Sequence, residues 1–249
     1  MIKTTPFEMV FIIRDAMSIH DGHRQRTKER FRREGLDNFD EVHVLELLLY
    51  YCVPRKDTNP LAHALLSHFG SLSQVLEASA EELEKIDGIG ENISTFLNLT
   101  TAVGRYYLVN RTTQAAILRD TFQCGEYLLP YFYGRRNEIV FMLCLDAKCK
   151  VLCCKEVGEG SVNSAAIPIR RIVELALGAN ATTVVLAHNH PSGLALPSGD
   201  DVQTTWRIAR ALNTVEITLA DHIIVADDDF VSLVQSGHYR PEDVATEVY

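Results

Sequence analysis

The chain has 249 residues, of which 47% are hydrophobic and 23% charged, and its formal net charge is −9. This length suits one large or two small domains, and the apolar fraction is sufficient to bury a substantial core. The acidic balance argues against broad, non-specific affinity for nucleic acids. The six cysteines form no Cys-x-x-Cys pair, and most lie in apolar stretches, so we expect reduced, buried thiols in a cytoplasmic protein. A zinc role for Cys153 and Cys154 is conceivable but lacks the usual spacing.

Residues 1–18 are expected to form an N-terminal extension. Their apolar run, residues 9–13, is too short to cross a bilayer, and no small-residue cleavage site follows it. We therefore predict neither a membrane segment nor a signal peptide. The run is expected to form a short helix or strand packed on the core.

A strongly basic segment lies between Arg24 and Arg33 in this otherwise acidic chain. Its cations could contact the phosphate backbone of DNA. They could equally form one face of a solvated helix with mixed charges. The sequence leaves these two interpretations open.

Residues 19–110 are predicted to form a small helical domain. Their apolar patterns predict helices over residues 42–51, 61–69, 71–78, 80–85 and 93–110. Before the last helix, Gly88 and Gly90 form a Gly-x-Gly turn typical of a helix-hairpin-helix, where glycine lets backbone N–H groups approach a phosphate. The same turn also serves protein contacts or a purely structural role, and Glu91 follows it where a basic residue would favour DNA.

A polar linker is predicted over residues 111–119, and a second domain over residues 120–249. Its first elements are expected to be a helix at 120–128, a loop at 131–137 and strands at 138–146 and 151–157. A break follows, and then an irregular edge segment at 161–167, a helix at 169–177, a strand at 183–187 and a helix at 198–212. The last elements are strands at 215–220, 223–226 and 230–234 and a tail from 237. This order predicts an α/β sandwich, in which helices pack against a mixed sheet.

The strand over residues 183–187 delivers His188 and His190 at its end. Residues two apart in a strand point to the same face, so both imidazoles can reach one ion. After a turn, Ser198 opens a helix whose first turn contains Asp201. Two histidines and a carboxylate, with a fourth position left for water, are the ligand set of a catalytic zinc site.

Each of these residues also has a structural interpretation. Ser198 and Asp201 have nearly the spacing of a capping box, so either could simply cap the helix. The two histidines could be a polar strand end, and Asp200 offers a competing carboxylate. The ordered combination of strand, His-x-His, turn, Ser and Asp nevertheless favours a metal site.

The spacing His-x-His, seven residues, Ser, two residues, Asp resembles the JAMM motif of the MPN/JAB zinc hydrolases. The run His-Asn-His-Pro-Ser-Gly that begins at His188 is similar to the bacterial RadC proteins, and Gly22-His23-Arg24 fits the start of their N-terminal domain. The resemblance covers most of the chain. It implies an α/β (α+β) protein: a small all-helical, helix-hairpin-helix-like domain followed by a mixed-sheet JAB/MPN-like domain with three layers, as in cytidine deaminases.

The resemblance also implies roles for the motif residues. His188, His190 and Asp201 would ligate Zn²⁺, and the Ser198 hydroxyl would donate a hydrogen bond to the tetrahedral oxyanion.

The residues alone leave three candidates for the general acid/base, Glu138, Glu156 and Glu159. In RadC proteins a glutamate stands eight residues before the aspartate that ends the first strand, which here is the pair Glu138 and Asp146. The resemblance therefore assigns Glu138 and keeps Glu159 as the second candidate, because Glu159 precedes a RadC-like segment. As a structural alternative, Glu138 would be a surface acid at a strand start.

Asn189 and Ser192 would support the ligands from the turn. Asp221 and His222 resemble an Asp-His-Ile run of RadC proteins, and we interpret them as a satisfied buried pair near the sheet end rather than as spare metal ligands. The chain departs from the family at residues 167–171, Ile-Pro-Ile-Arg-Arg, where RadC proteins have His-Pro-Arg-Glu. This departure puts a shared partner surface there in doubt.

The pattern and the resemblance together predict a zinc-dependent metallopeptidase or isopeptidase that acts on a peptide or protein. The alternative is a non-enzymatic DNA-structure-binding or DNA-repair accessory protein with a structural metal site. Weak DNA contact would then involve the segment from Arg24 to Arg33 and the turn at Gly88 and Gly90. A nuclease or phosphoesterase is disfavoured because only Asp200 offers a further carboxylate, and a zinc deaminase because no Pro-Cys-x-x-Cys occurs.

Overall fold

The structure is a computed structural model, and it describes residues 19–54, 56–112, 116–160 and 169–246. The expectations for residues 9–13 and for the edge segment at 161–167 fall outside the described residues. Among the helices that the structure describes, none is long and apolar enough to cross a membrane.

Ten helices and five strands occur in the described part of the chain. The helices are α1 (Ile19–Glu34), α2 (Glu41–Cys52), α3 (Asn59–Phe69), α4 (Leu72–Glu77), α5 (Ala80–Leu83), α6 (Glu91–Thr112), α7 (Thr121–Phe132), α8 (Ile169–Gly178), α9 (Gly199–Asn213) and α10 (Pro241–Thr246). The strands are β1 (Ile139–Leu145), β2 (Val151–Glu159), β3 (Thr183–Asn189), β4 (Thr218–Ala226) and β5 (Asp229–Ser232).

The chain divides into two compact units, Met1–Thr101 and Ala102–Tyr249. The division falls within α6, which is helical from residue 91 to residue 112. In the first unit, apolar side chains from α2 to α6 form one core, which includes Leu45, Leu65 and Leu97. The domain limits expected at residues 110 and 119 stay predictions.

The second unit is built on a mixed five-stranded sheet in the order β2-β1-β3-β4-β5. Only β3 and β4 are parallel, and the other neighbours are antiparallel. All seven residues of β1 are buried, as a continuous apolar run predicts for a central strand covered on both faces.

Helices cover both faces of this sheet. One core, on the face that includes Val140 and Leu186, contains residues of α8, α9 and α10. The other core, on the face that includes Phe141 and Ala187, contains residues of α7. These layers confirm the predicted helical region followed by a three-layer α/β domain.

Several predicted boundaries were wrong. Helix α7 continues to Phe132 through Pro130, into the region expected to be a loop. Strand β2 extends to Glu159, past the expected break. Strand β4 is one strand from 218 to 226 rather than two short segments, and α10 lies in the expected tail. Pro241 at the first helical position, followed by two acids, was a recognisable helix start.

Candidate metal centre

The two histidines lie at the end of β3, in the middle of the sheet. His188 is the sixth residue of β3 and pairs with Val140 of β1, and both side chains lie on the face covered by α9. The chain leaves the strand after Asn189, where the N–H of His190 donates to the carbonyl of Val225. Because β3 is a central strand, His188 is buried, with 1% of its surface exposed.

Helix α9 brings a carboxylate to the histidines. Asp201 lies in its first turn and is 4% exposed. His188 Nε2 lies 2.9 Å from His190 Nε2 and 3.3 Å from Asp201 Oδ1, and His190 Nε2 lies 3.6 Å from Asp201 Oδ2. A tetrahedral zinc ion with ligands at about 2.0–2.1 Å holds neighbouring ligand atoms about 3.3 Å apart. The spacing and chemistry of this group therefore fit a metal ion, and His188, His190 and Asp201 could bind one.

The hydrogen bond on the far side of the His190 ring leaves its inner nitrogen free for an ion. His190 Nδ1 lies 3.0 Å from the carbonyl oxygen of Leu194. A carbonyl can only accept, so Nδ1 carries the proton and Nε2 of the neutral ring keeps its lone pair. Gly193, with φ of +80°, supplies the turn that brings the Leu194 carbonyl to this nitrogen.

Ser198 and Asp201 form a complete capping box at the start of α9. The amide and hydroxyl of Ser198 donate to Asp201 Oδ2 at 2.8 and 2.6 Å, and the Ser198 oxygen accepts from the Asp201 amide at 3.1 Å. Burial raises the pKa of the Asp201 carboxyl, but the adjacent His188 ring and the hydrogen bonds from Ser198 outweigh burial and hold this pKa well below its usual range. Asp201 is therefore ionised, as a metal ligand must be. Asp201 is thus a member of the cap and a candidate metal ligand at the same time.

The neighbouring carboxylate, Asp200, is exposed and lies outside the group of converging ligand atoms. The cysteine alternative has no geometric support, because Cys153 packs into one core and Cys154 into the core on the opposite face of the sheet. All six cysteines are free, as expected, but only Cys124 and Cys144 are buried, and the other four are half-buried.

The three candidate acids divide between the two faces of the sheet. Glu159 pairs with Ile139, and Glu156 pairs with Phe141; both partners belong to the core on the face opposite His188. Glu156 also accepts from Arg135 at 3.3 Å. Glu138 is half-buried and stands two residues before Val140, the partner of His188. Alternation along an extended chain directs Glu138 to the face that carries His188.

Asn189 has a role that the sequence did not indicate. Its side-chain oxygen accepts from the amide of Ile139 at 2.8 Å, and its amide group donates to the carbonyl of Asn137 at 3.0 Å. Asn189 thus ties the backbone on both sides of Glu138 to the strand end that carries the histidines. It had been expected to support the ligands, and no local pattern pointed to this non-local contact. Ser192, expected in the same role, is exposed.

Asp221 and His222 are both buried, as expected, but their side chains are not a pair. Asp221 accepts from the hydroxyls of Thr121 and Ser232, at 2.9 and 2.6 Å. His222 Nε2 lies 2.9 Å from His188 Nδ1, and burial, followed by the proximity of His188, holds the pKa of His222 well below its ordinary value. His222 is therefore a neutral neighbour of a candidate ligand, on its outer side.

In the helical unit, several of the basic side chains have hydrogen-bond or ion-pair partners within the protein. Arg24 donates to the backbone carbonyls of Val53 and Lys56. Arg30 and Arg33 both pair with Glu34, at 3.2 and 2.5 Å. These pairs fit the second of the two interpretations left open by the sequence, a solvated helix face with mixed charges.

Gly88 and Gly90 lie in the exposed turn between α5 and α6, and Ile89 between them is buried. Gly88 adopts a φ of +91°, a backbone conformation that favours glycine at this position. The Gly90 carbonyl accepts from the amides of Ile93 and Ser94 at the start of α6. This turn is thus required by the local backbone whether or not it meets a phosphate.

Two family models match the chain: a RadC-like JAB domain over residues 118–238, and a UPF0758 N-terminal domain over residues 21–94. The UPF0758 protein FN0909 of Fusobacterium nucleatum subsp. nucleatum is 35% identical over 225 residues, which cover 88% of this chain and 97% of that protein. The UPF0758 protein SPO0054 of Ruegeria pomeroyi is 32% identical over 216 residues, which cover 87% and 96% of the two chains.

Proposed function

The chain belongs to the RadC family, and from that premise we propose that it is a zinc-dependent hydrolase that cleaves amide or isopeptide bonds in a peptide or protein. The observation that carries the proposal is the convergence of the two histidine Nε2 atoms and the Asp201 carboxylate at separations of 2.9–3.6 Å. Three protein ligands leave the fourth position of a tetrahedral ion for water, which is the arrangement of catalytic rather than structural zinc.

Zinc, when bound to His188, His190 and Asp201, would lower the pKa of a water molecule and polarise the scissile carbonyl. Glu138 would accept the proton of the attacking water and return it to the leaving amine. Its position on the face of His188 favours it over Glu156 and Glu159, which face the opposite core.

Ser198 would donate to the developing oxyanion. Its hydroxyl proton is shared with Asp201 Oδ2 at 2.6 Å in the structure. The oxyanion role therefore requires this proton to change partners when the carbonyl becomes tetrahedral. The same residue would then cap the helix in the resting protein and stabilise charge during the reaction.

The first test is the metal content of the purified, metal-replete wild type beside His190→Ala and Glu138→Gln. We expect about one zinc per wild-type chain from the ligand count, loss of zinc in His190→Ala, and retention in Glu138→Gln. Wild-type protein without zinc under these conditions would contradict the proposal.

The second test is hydrolysis of a fluorogenic peptide library and of lysine-linked isopeptides. We expect Glu138→Gln to lose at least ~10²-fold in rate, the usual contribution of a general base. Glu159→Gln is the matched control, since Glu159 lies at the same end of the sheet as Glu138 but on the opposite face. If Glu159→Gln loses activity and Glu138→Gln keeps it, the assignment of the base is wrong.

A further inference from the structure

A chain of hydrogen bonds ends at His188 Nδ1, the ring nitrogen that points away from the other candidate ligands. Thr205 of α9 lies one helical turn after Asp201, and its hydroxyl is 2.6 Å from the Asp201 carbonyl oxygen. The same hydroxyl is 2.6 Å from His222 Nδ1, and His222 Nε2 is 2.9 Å from His188 Nδ1. Thr205 and His222 have no exposed surface, so water does not compete for these bonds.

The first member of the chain gives all the bonds a direction. The Asp201 carbonyl can only accept, so the single hydroxyl proton of Thr205 is donated to it. The Thr205 oxygen must then accept from His222, which places the His222 proton on Nδ1. A neutral imidazole carries one N–H, so His222 Nε2 is an acceptor and His188 Nδ1 is its donor.

This direction decides which nitrogen of His188 faces the ion. With its proton on Nδ1, His188 keeps the Nε2 lone pair, and Nε2 is the atom that lies 2.9 Å from His190 Nε2 and 3.3 Å from Asp201 Oδ1. In the reversed direction, His188 would carry its proton on Nε2, donate it to Asp201 and block the ion. The carbonyl of Leu194 selects the corresponding tautomer of His190.

We propose that Thr205 and His222 are positioning residues that hold His188 in its metal-binding tautomer, so that the Asp201 backbone, Thr205, His222 and His188 form one directed relay that ends at the metal. The inference rests on the proposed function only in that the ion is zinc. Most metal-binding histidines donate their outer N–H to a carboxylate, a carbonyl or water, and losing that partner costs about 10–100-fold in affinity. Here the partner is a second neutral histidine, whose own tautomer is set by a helix hydroxyl.

The test compares zinc dissociation constants, measured by chelator competition. Thr205→Val removes the hydroxyl but keeps the shape, and we expect about 10-fold weaker binding. Thr205→Ser restores the hydroxyl and should restore affinity. Thr121→Val is the matched control, because Thr121 donates to Asp221 and belongs to no bond of the relay; it should keep wild-type affinity.

His222 is tested by His222→Leu and His222→Gln. The leucine variant removes the acceptor for His188 Nδ1 and should weaken zinc binding by about 10–100-fold. The glutamine variant can offer an amide oxygen to His188 and should recover part of the loss. Thermal unfolding of the metal-free variants separates an effect on the site from a loss of folding. Unchanged zinc affinity in both Thr205→Val and His222→Leu would overturn the relay while leaving the hydrolase proposal intact.

A second readout needs no metal. Nitrogen-15 NMR of histidine-labelled, metal-free protein at about pH 9, where histidines are neutral, should show the His188 proton on Nδ1 in the wild type. In Thr205→Val it should shift toward Nε2. A wild-type proton on Nε2 would overturn the relay even if zinc binds, and wild-type protein that binds no zinc would defeat the hydrolase proposal whatever the tautomer is.

Discussion

At the scale of single residues, Ser198 meets two demands at once. Its oxygen caps α9, and its hydroxyl donates to a carboxylate that faces the histidines. A cap alone would have been satisfied by several residue types, including asparagine. A serine hydroxyl can also donate to an oxyanion, and the two roles are separated by measuring stability and turnover on the same variant.

We expect Ser198→Ala to lower the free energy of unfolding by about 0.5–2 kcal/mol, the usual loss for a helix cap. If Ser198 also serves the oxyanion, hydrolysis should fall by ~10²–10³. Chemical denaturation and turnover measure the two effects separately. Ser79→Ala is the control: Ser79 forms the other complete capping box, with Glu82, and its loss should affect stability alone. A Ser198→Ala variant with full turnover would rule out the oxyanion role.

Asn189 is the second residue whose substitution would test metal binding and hydrolysis separately. We expect Asn189→Ala to keep zinc and lose hydrolysis, because its side chain holds Ile139 and Asn137 on either side of Glu138. The comparison is zinc content against turnover, with Asn98→Ala as a control for deleting a half-buried asparagine that holds a backbone carbonyl. Loss of zinc in Asn189→Ala would show that Asn189 supports the ligands instead.

At the scale of elements, the candidate site is made by one strand, one turn and one helix start. Strand β3 presents His188, the turn holds His190, and the first turn of α9 presents Asp201. The α9 crossover that follows joins β3 to the parallel strand β4, and β4 contributes His222. Two parallel strands must be joined by such a crossover. The crossover helix begins where the chain leaves β3, so its first turn lies near the carboxyl end of that strand.

The β1–β2 hairpin depends on Asp146 rather than on a glycine turn. Asp146 Oδ1 accepts from the amides of Lys148 and Lys150 at 2.8 and 2.9 Å, and Cys149 takes a φ of +60°. The hydrogen bonds from the Lys150 and Lys148 amides hold the Asp146 pKa below its usual range. The aspartate that guided the choice of Glu138 is thus a turn residue.

A lowered carboxyl pKa stabilises the folded state above the unfolded pKa of about 3.9 and loses that contribution as the pH falls through the folded value. We therefore expect the thermal unfolding midpoint of Asp146→Asn to fall below that of the wild type at neutral pH. The difference should shrink as the pH drops below about 4. Asp37→Asn, an exposed acid, serves as the control. If the difference in midpoint does not change with pH, the charge of Asp146 does not stabilise the folded state and only its place in the turn matters.

At the scale of the whole molecule, the candidate ligands and the hydrogen-bond partners described for them lie in the unit Ala102–Tyr249. We expect a fragment of residues 102–249 to fold and to bind zinc with the affinity of the full chain. Circular dichroism and chelator competition test this, with His190→Ala in the same fragment as the control. A folded fragment that binds no zinc would show that the helical unit contributes to the site.

The acidic net charge and the basic helix α1 bear on the alternative of a DNA-binding protein. Arg24, Arg30 and Arg33 have partners within the protein, and the overall charge is −9. These features weigh against a DNA-binding module. Contact with DNA through α1 and the Gly88 turn stays a prediction, and salt-dependent binding assays test it.

The sequence predicted much of this fold because the deciding patterns are local. The continuous apolar run of β1 and the capping-box pattern at Ser198 each depend on a few neighbouring residues. Boundaries failed where a longer-range contact decided them: β2 continues to Glu159 because β1 offers a partner, and β4 passes through Asp221 because β3 does.

The sequence by itself determined that two histidines share a face and that a carboxylate follows at a helix start, because the periods of strand and helix are set by backbone geometry. Only the tertiary structure decided which glutamate shares that face, that Asn189 ties the Glu138 segment to the site, and that His222 stands behind His188. These relations depend on the register between strands that are distant in the sequence. Register is set by how the whole sheet packs, which no local pattern contains.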